Sequence, residues 1–318
     1  MSTAVWPPIA PDQLERELEL SRQREVQWLL TSLQDTLKSL KEGLEECAAL
    51  LAPSDENAST LVLSTHRSEA LKGFVTRIGT RVVKGSITLR LPSLPQPKDR
   101  PHNLFTISQA PQAPSLVLAQ ITTARNAIAS CLDVVDVSTY TGDPANANFI
   151  SGQLQLLDEN LQEARNALKG DPGPLAAPTT TAGGSSNNIN MPWFDNSAEE
   201  ASFEPPLPGT LAVTTSIADA ALRLEVRTLE RVHSSSHHKI SFRDQLAVAL
   251  GGARTPTHDE ANETFVFRGQ EVKVKEKVRV ESQDPALMAA MAKLGALERT
   301  LGLGRRALGV VMGMEGED

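Results

Sequence analysis

The sequence predicts an α+β protein: an antiparallel four-helix bundle with coiled-coil-like packing, joined to a discontinuous antiparallel β-sheet domain. Four segments repeat apolar residues at alternating spacings of four and three, and other segments alternate apolar and polar residues with a period of two. The composition agrees, because 40% hydrophobic residues can fill sizeable cores in a chain of 318 residues. Aromatic residues make up only 4% of the chain, which favours helix packing over an aromatic-lined ligand pocket.

The first apolar row lies in the stretch VQWLLTSLQDTLKSLKEGLEECAALL. Its members are Val26, Leu30, Leu33, Leu37, Leu40, Leu44, Cys47 and Leu51. Asp12 is followed three residues later by Glu15, the spacing of a capping box, so we expect the helix to start there and to end before Pro53. A helix of about forty residues is about 60 Å long, much longer than a small domain is wide.

The period changes to two between residues 60 and 107. In SITLRLP, Ile87, Leu89 and Leu91 share one face, and Gly79 lies where a tight turn reverses the chain. Further strands are predicted at Leu211 to Ile217, at Leu222 to Val226, and in TFVF paired with EVKVKEKVRV. We expect a single sheet assembled from these distant pieces.

The last predicted strand places its basic residues on one face. These are Lys273, Lys275, Lys277 and Arg279. Such a face suits an acidic partner or lipid headgroups, but interspersed glutamates favour a solvated face that protects the sheet edge.

Three later helices carry rows with the same spacing. Their starts are predicted at Pro114, at Asp143-Pro144 and at Asp284-Pro285, because proline suits the first turn of a helix and aspartate suits its N-cap. Four matching rows in one chain can close on each other, whereas a zipper between two chains would leave three rows unpaired. Burying a leucine contributes roughly 1.5–3 kcal/mol, so the intramolecular bundle is favoured.

These elements give the expected domain organisation. The helical bundle domain comprises residues 12–52, 114–169 and 284–313; the β domain comprises 59–107 and 204–282; residues 170–203 are a flexible linker, and 233–262 a partly disordered insertion.

Two places are candidates for partner binding. The first helix is longer than the second and third, so Leu14 and Leu18 should be exposed on an overhang. A partner coiled coil, a kink that folds the overhang back, and fraying all remain open. Trp193 and Phe194 follow the linker, and either attach it to the body of the protein, which we favour, or present a docking peptide.

We expect no enzyme, and no catalytic residue, cofactor or metal. An unrecognised enzyme is the least favoured hypothesis, and a concave pocket with convergent titratable groups would be its sign. His233, His237 and His238 lack a completing cysteine or carboxylate pair and are interpreted as a solvated loop. Cys47 and Cys131 both fall in apolar rows and are interpreted as reduced core thiols. Phosphate-binding loops, nucleophile elbows and zinc-binding helix motifs are missing from the sequence.

The net charge of −8 argues against a surface made for nucleic acid. The first residues do not resemble a signal peptide, and no window of about 18 uninterrupted apolar residues occurs. We therefore expect a cytoplasmic protein.

Several stretches, taken in order, resemble the Rogdi family. They are Trp28-Leu29-Leu30 in the first helix, Lys72-Gly73 with ITLRLP in the strand pair, Gln120-Ile121 with Ala124-Arg125-Asn126 in the second helix, ARNAL at the end of the third, and Phe203 to Pro208 before the next strand. The resemblance covers Glu25 to Leu308. The HSSSHHK insertion, the long linker and a C-terminus without an aromatic ending depart from the family pattern.

The resemblance implies a non-enzymatic subunit of the RAVE complex, which promotes assembly and reassembly of the vacuolar proton-ATPase. It implies three kinds of partner: a large propeller-containing scaffold subunit, an Skp-type adaptor and the cytosolic sector of the ATPase. Nucleic acid and membrane insertion are not implied, and the expected location is cytoplasmic, with transient visits to vacuolar and endosomal membranes.

The alternative is a homodimeric leucine-zipper scaffold protein unrelated to the ATPase. A DNA-binding zipper is disfavoured because Arg16, Arg22 and Arg24 alternate with glutamates instead of forming a basic region.

Overall fold

The computed structural model describes residues 10–65, 69–97, 102–170, 192–232, 258–261 and 263–313, without the side chain of Glu56. The chain divides into two compact units. Residues 1–50, 123–166 and 290–318 form what we call the helical unit, and residues 51–122 and 167–289 form what we call the β unit. The chain passes several times between the two units, so each unit is assembled from separate stretches of the sequence.

Four long helices are present in the described part of the chain. They are α1 (Pro11–Leu50), α2 (Ala119–Asp136), α3 (Ala147–Lys169) and α4 (Pro285–Met312). A π-helical turn at Val137–Thr141 prolongs α2. The predicted number and order of helices are confirmed.

The helices pack together through their apolar rows, with α1 against α4, α2 against α3, and α3 against α4. α1 and α4 run antiparallel, since the Sγ atom of Cys47 lies 4.0 Å from the carbonyl oxygen of Ala290, whereas Leu33 meets Gly304 near the other end. The buried members of the rows in the helical unit are Leu30, Leu33, Leu37, Leu40, Leu44 and Cys47 on α1; Ala124, Ala127, Ile128, Cys131, Val134 and Val135 on α2; Ile150, Leu154, Leu157, Leu161 and Ala164 on α3; and Ala290, Leu294, Leu301 and Leu308 on α4. The leucines of the first row therefore hold one chain together.

The helix starts agree only in part with the prediction. The amides of Gln13 and Leu14 donate to the carbonyl of Ala10, so α1 begins at Pro11 and Asp12 lies in its first turn instead of capping it. At α4 the prediction is correct: Oδ1 of Asp284 accepts from the amides of Ala286 and Leu287 at 3.0 and 3.4 Å.

The predicted starts of the second and third helices are wrong by a few residues. Pro114 precedes a short strand, Leu116–Val117, and α2 begins only at Ala119. α3 is capped by Asn146, whose Oδ1 accepts from the amide of Phe149 at 3.1 Å. Asp143 and Asn146 both suit an N-cap, and local spacing does not choose between them. α2 has no such signal, because its first amides, those of Ile121 and Thr122, donate to the carbonyl of Leu118.

Two antiparallel sheets are present among the described residues, where the sequence predicted one. Their strands are β1 (Ser59–Ser64), β2 (Leu71–Ile78), β3 (Arg81–Leu89), β4 (Asn103–Ile107), β5 (Leu116–Val117), β6 (Phe203–Glu204), β7 (Leu211–Ala218), β8 (Ala221–Arg231), β9 (Thr264–Phe267) and β10 (Gln270–Gln283). The first sheet has the order β1-β2-β3-β4-β6, with β5 beside β3, and the second has the order β7-β8-β10-β9. The α+β class is confirmed.

The most distant pairing in sequence is in the first sheet among the described residues. Its strand β6 pairs Phe203 with Ile107 and Glu204 with Thr106. The second sheet is built from two hairpins with two-residue turns, and three of the four turn residues are non-glycine residues at positive φ: Asp219, Ala220 and Arg268. Positive φ at both central residues suits the twist of a hairpin, and Gly269 completes the second turn.

The predicted linker and insertion fall largely outside the described residues. This applies to 171–191 of the linker and to 233–257 and 262 of the insertion, which include His233, His237 and His238. Residues 192–203 are described and contain a short helix at Glu200–Ser202.

Candidate functional site

The N-terminal part of α1 is one continuous helix with an exposed surface. The 40 residues of α1 span about 60 Å, and burial of its apolar row begins only at Leu30. Leu14 is 46% exposed and Leu18 is 61% exposed. The structure therefore places both leucines where the sequence predicts, exposed on an overhang that belongs to one uninterrupted helix over Pro11–Leu50.

Leu14 and Leu18 continue the side of α1 that faces α4. The Nε atom of Arg22 donates to the carbonyl of Val311 at 3.1 Å, close to the end of α4. Leu18 and Leu14 lie four and eight residues before Arg22, and residues four apart lie on the same face of a helix. α4 ends at Met312, close to Arg22, so these leucines lie beyond the surface that α4 covers.

A groove of about 800 Å³ lies beside this overhang within the helical unit. α1, the connection between α2 and α3, and the last turn of α4 form its walls. The lining residues are Glu19, Arg22, Gln23, Val26, Gln27, Leu30, Thr31, Gln34, Pro144, Ala145, Asn148, Val311 and Met312. The lining combines apolar residues such as Val26 and Leu30 with polar ones such as Gln23 and Gln27, a mixture that suits binding of a peptide or a helix.

One wall of the groove carries an unsatisfied polar group. The Nε2 atom of Gln34 is buried and has no hydrogen-bond acceptor among the described residues. Buried polar groups are normally paired, so a donor without an acceptor in a groove favours a ligand that brings a carbonyl or carboxylate oxygen. Sequence reasoning missed this groove, because it arises from the register at which α4 meets α1.

A basic side chain lies over the end of α2. The Nζ atom of Lys41 is 2.6 Å from Oδ1 of Asp136 and 5.5 Å from the ring centroid of Tyr140. The hydrogen bond to Asp136 raises the pKa of the Lys41 ammonium group above its ordinary value of 10.5. Tyr140 is exposed on the π-helical turn, so this corner is a second accessible feature of the helical unit.

Trp193 and Phe194 pack onto the second sheet, in agreement with the favoured interpretation that they attach the segment after the linker. The Trp193 ring lies 5.1 Å from that of Phe265 and 5.8 Å from that of Phe267, centroid to centroid. Both residues are half-buried against a core cluster around Leu229. The Nε1 atom of Trp193 is buried without a hydrogen-bond partner in the described part of the chain.

A network of ion pairs continues from Trp193 across the same face of this sheet. The guanidinium carbon of Arg227 lies 5.0 Å from the Trp193 ring centroid, and its nitrogens bond to Glu260 at 2.7 and 2.9 Å and to Glu225 at 2.6 Å. Lys277 bonds to Glu260 at 2.6 Å. Burial alone would raise the pKa of Glu260, but the hydrogen bonds from Arg227 and Lys277 outweigh it and lower that pKa below its ordinary value of 4.5.

The predicted cationic face of β10 is wrong. A β-bulge between Val274 and Glu276 inserts Lys275 as an extra residue, so Lys273 and Lys277 lie on opposite faces of the sheet. Lys277 is almost buried between carboxylates, and Arg279 bonds to Glu281. The strand therefore does not present a basic surface to lipid or to an acidic partner.

The two cysteines are free, buried thiols, as predicted. Burial raises the pKa of Cys47 to about 11 and that of Cys131 to about 12. Both thiols are protonated at neutral pH and are poor nucleophiles.

Among the residues that the structure describes, no group of three or more His, Cys, Asp or Glu is placed to hold a metal ion. Within those same ranges, no helix is both long enough and apolar enough to cross a bilayer. Two candidate binding surfaces remain in the described part of the chain. One is the groove with the exposed overhang of α1 in the helical unit, and the other is the half-buried aromatic cluster in the β unit.

Comparison with known proteins identifies the family. Residues 25–309 match the family described as Rogdi leucine zipper containing protein. This chain belongs to the Rogdi family. The match begins at Glu25, so it includes the buried part of the α1 row but excludes Leu14 and Leu18, and it ends within the last turns of α4.

A distant relative of this Rogdi family member has a functional name. The chain is 23% identical over 286 residues to the Regulator of V-ATPase in vacuolar membrane protein 2 of Schizosaccharomyces pombe, and the alignment covers 87% of this chain and 89% of that protein. Neither the family description nor the name of this relative denotes an enzyme.

Proposed function

We propose that this protein is a non-enzymatic subunit of a RAVE-like complex that promotes assembly and reassembly of the vacuolar proton-ATPase through protein–protein binding. The observation that carries the proposal is the family match over residues 25–309, together with the relative named for regulation of the V-ATPase at the vacuolar membrane. The alignment covers most of both proteins, which supports a shared role for the whole chain.

The proposed partners are a large propeller-containing scaffold subunit, an Skp-type adaptor and subunits of the cytosolic ATPase sector. The protein is proposed to be cytoplasmic and to visit vacuolar or endosomal membranes transiently, bound to those partners. No nucleic acid and no direct membrane insertion form part of this proposal.

The proposed partner site is the groove of the helical unit together with Leu14 and Leu18. The exposed leucines, the apolar lining residues Val26 and Leu30, and the unsatisfied Nε2 of Gln34 support it. Burying two leucines would contribute roughly 3–6 kcal/mol to such a contact, before the cost of association is subtracted.

Trp193 and Phe194 are proposed to contribute in a secondary way. Because both rings are half-buried against the sheet, their main role is to hold residues 192–203 on the β unit, and a partner reaches only their outer edges. This proposal places the stronger contact on α1.

The alternative, a homodimeric zipper scaffold, has less support. The leucines that define the zipper pattern, from Leu30 to Leu44, are buried within the helical unit of a single chain. Pairing with a second copy would therefore have to use other surfaces than this row. The mass of the purified protein in dilute solution separates the two, since a monomer excludes the dimer.

Purification of the tagged full chain from its own cells tests the proposed function. We expect a propeller-containing scaffold, an Skp-type adaptor and ATPase subunits to co-purify, and we expect a deletion strain to grow poorly at raised pH and high calcium and to acidify its organelles weakly. Absence of all ATPase and scaffold subunits, combined with normal acidification in the deletion strain, contradicts the proposal.

A further inference from the structure

α4 has a second row of regularly spaced residues on the face opposite to its buried row. The buried row contains Leu287, Ala290, Leu294, Leu301 and Leu308. What we call the outer row consists of Ala292, Ala296, Arg299, Leu303, Arg306 and Val310. Its members are spaced four, three, four, three and four, and every one of them is exposed. At about 100° per residue, the two rows lie on opposite sides of the helix.

The outer row is unusually apolar for a surface that faces water. Leu303 is 63% exposed and Val310 is 77% exposed. Only five of the 28 residues of α4 are charged, so the helix is apolar nearly all round. A helix of that composition is typically covered on both faces, whereas the described part of this chain covers only one.

The two arginines of the outer row have no acidic partner. Among the described residues, no carboxylate lies within ion-pair distance of Arg299 or Arg306, and the Nε atom of Arg306 bonds only to the carbonyl of Gly302 in its own helix. The other two cations of α4 are paired, Lys293 with Glu46 and Arg305 with Asp158. Arg299 and Arg306 therefore flank Leu303 as two cations that no described carboxylate neutralises, in a protein whose net charge is −8.

We propose that the outer row of α4 is a docking surface for an acidic amphipathic helix of another protein. Spacings of four and three are those by which two helices interlock their side chains. Ala292 and Ala296 let a partner backbone approach closely, Leu303 and Val310 supply apolar contacts, and Arg299 and Arg306 meet carboxylates of the incoming helix.

Two other occupants fit the outer row less well. A lipid surface is bound by helices rich in basic residues with aromatic side chains on the apolar face, whereas this row has two cations and no aromatic residue. A second copy paired through the same row about a two-fold axis would bring its own arginines towards Arg299 and Arg306, and like charges repel.

Photo-crosslinking in cells tests this inference. Leu303 of the full chain is replaced by p-benzoylphenylalanine, and the crosslinked segments are identified by mass spectrometry. We expect a segment of another protein with apolar residues three and four apart and carboxylates beside them. We expect the yield to fall at least about fivefold in R299E/R306E and to stay unchanged in the control R81E/K84E, which makes the same charge change at exposed positions of β3.

Folding and charge specificity are checked in the same strains. All four substituted residues are exposed, so we expect the thermal midpoints of both variants to match the wild type. Reversal of the partner's carboxylates to arginine should restore crosslinking to R299E/R306E.

Four results overturn the inference. They are crosslinks to residues of this chain, whether from a second copy or from its own C-terminal residues, crosslinks to lipid, crosslinks to a segment without carboxylates, and no crosslink at all. The inference is independent of the proposed function. If deletion leaves ATPase assembly normal while Leu303 still crosslinks to an acidic helix, the ATPase role fails and the docking surface stands.

Discussion

The Nε atom of Arg77 lies 2.5 Å from Oδ2 of Asp284, and neither side chain is exposed to solvent. Arg77 also donates to the carbonyl of Gly79 at 2.8 Å, and the hydroxyl of Ser59 donates to Oδ1 of Asp284 at 3.0 Å. Because Asp284 also caps α4, this buried ion pair connects β1 and β2 to the start of the last helix.

Breaking the Arg77–Asp284 pair should strongly destabilise the protein. In D284N the asparagine retains the capping oxygen but leaves the buried charge of Arg77 without a counter-ion, which typically costs about 3–5 kcal/mol. The free energy of unfolding in urea measures this loss.

A double-mutant cycle measures the interaction free energy between Arg77 and Asp284 apart from the other contacts of the two side chains. The R77M/D284N variant removes both charges, so we expect it to lose less stability than the sum of R77M and D284N. Additive losses would show that the two side chains contribute independently.

The ion-pair network at Arg227 should make the protein lose stability as the pH becomes acidic. The pKa of Glu260 is lower in the folded protein than its ordinary value of 4.5. The stabilisation that ionised Glu260 provides is therefore fully present above pH 4.5, and it is lost as the pH falls through the pKa of Glu260 in the folded protein. We expect E260Q to be less stable than the wild type at pH 7, and we expect the difference between their free energies of unfolding to become smaller below pH 4.5. A difference that is the same at pH 7 and pH 3.5 would contradict this account.

Trp193 should be important for stability and Trp28 should not. Trp193 packs against Phe265 and Arg227, and truncation of a buried aromatic residue costs about 3–5 kcal/mol, so a half-buried one should cost about 2 kcal/mol. Trp28 is 72% exposed, and W28A should change the free energy of unfolding by less than about 0.5 kcal/mol. Equal losses in W193A and W28A would contradict the packing described for Trp193.

The cysteines should react only after unfolding. Burial raises the pKa of Cys47 to about 11 and that of Cys131 to about 12, so the fraction of reactive thiolate at pH 8 is very small. We expect negligible labelling by a thiol-reactive dye in buffer and two labels per chain in urea. Rapid labelling of one thiol in the native protein would show that its helix opens.

Much of the helical architecture is predictable, because each row and each cap is a local signal. Asp284-Pro285 marks the start of α4 correctly, and the spacing of the α1 row correctly indicates which leucines are buried. The pairing of Phe203 with Ile107 has no such local signal, since strands almost a hundred residues apart are matched only by tertiary packing.

The bulge at Lys275 explains why sequence alternation does not predict the faces of β10. Val272, Val274, Val278 and Val280 all lie at even-numbered positions, as on one face of a regular strand, but the inserted residue moves the later valines to the other face. The exposure of Leu14 and Leu18 follows from helix length alone. The groove beside them does not, since it depends on where Val311 meets Arg22.

The proposed partner site predicts a difference between two exposed leucines of the helical unit. L18D places a charge on the side of α1 that faces α4, beyond the end of α4, and should weaken binding of the co-purifying scaffold at least about tenfold. L156D is the matched control, because Leu156 is also exposed but lies on α3 and does not line the groove. Pull-down yields measure both, and equal effects would move the partner site away from Leu18.

The central claim is that the protein promotes assembly of the vacuolar proton-ATPase. The most direct measurement is the fraction of the cytosolic ATPase sector bound to membranes in wild-type cells, in a deletion strain and in the deletion strain with the full chain restored. We predict that this fraction falls in the deletion strain and returns when the chain is restored. An unchanged membrane-bound fraction in the deletion strain would contradict the claim.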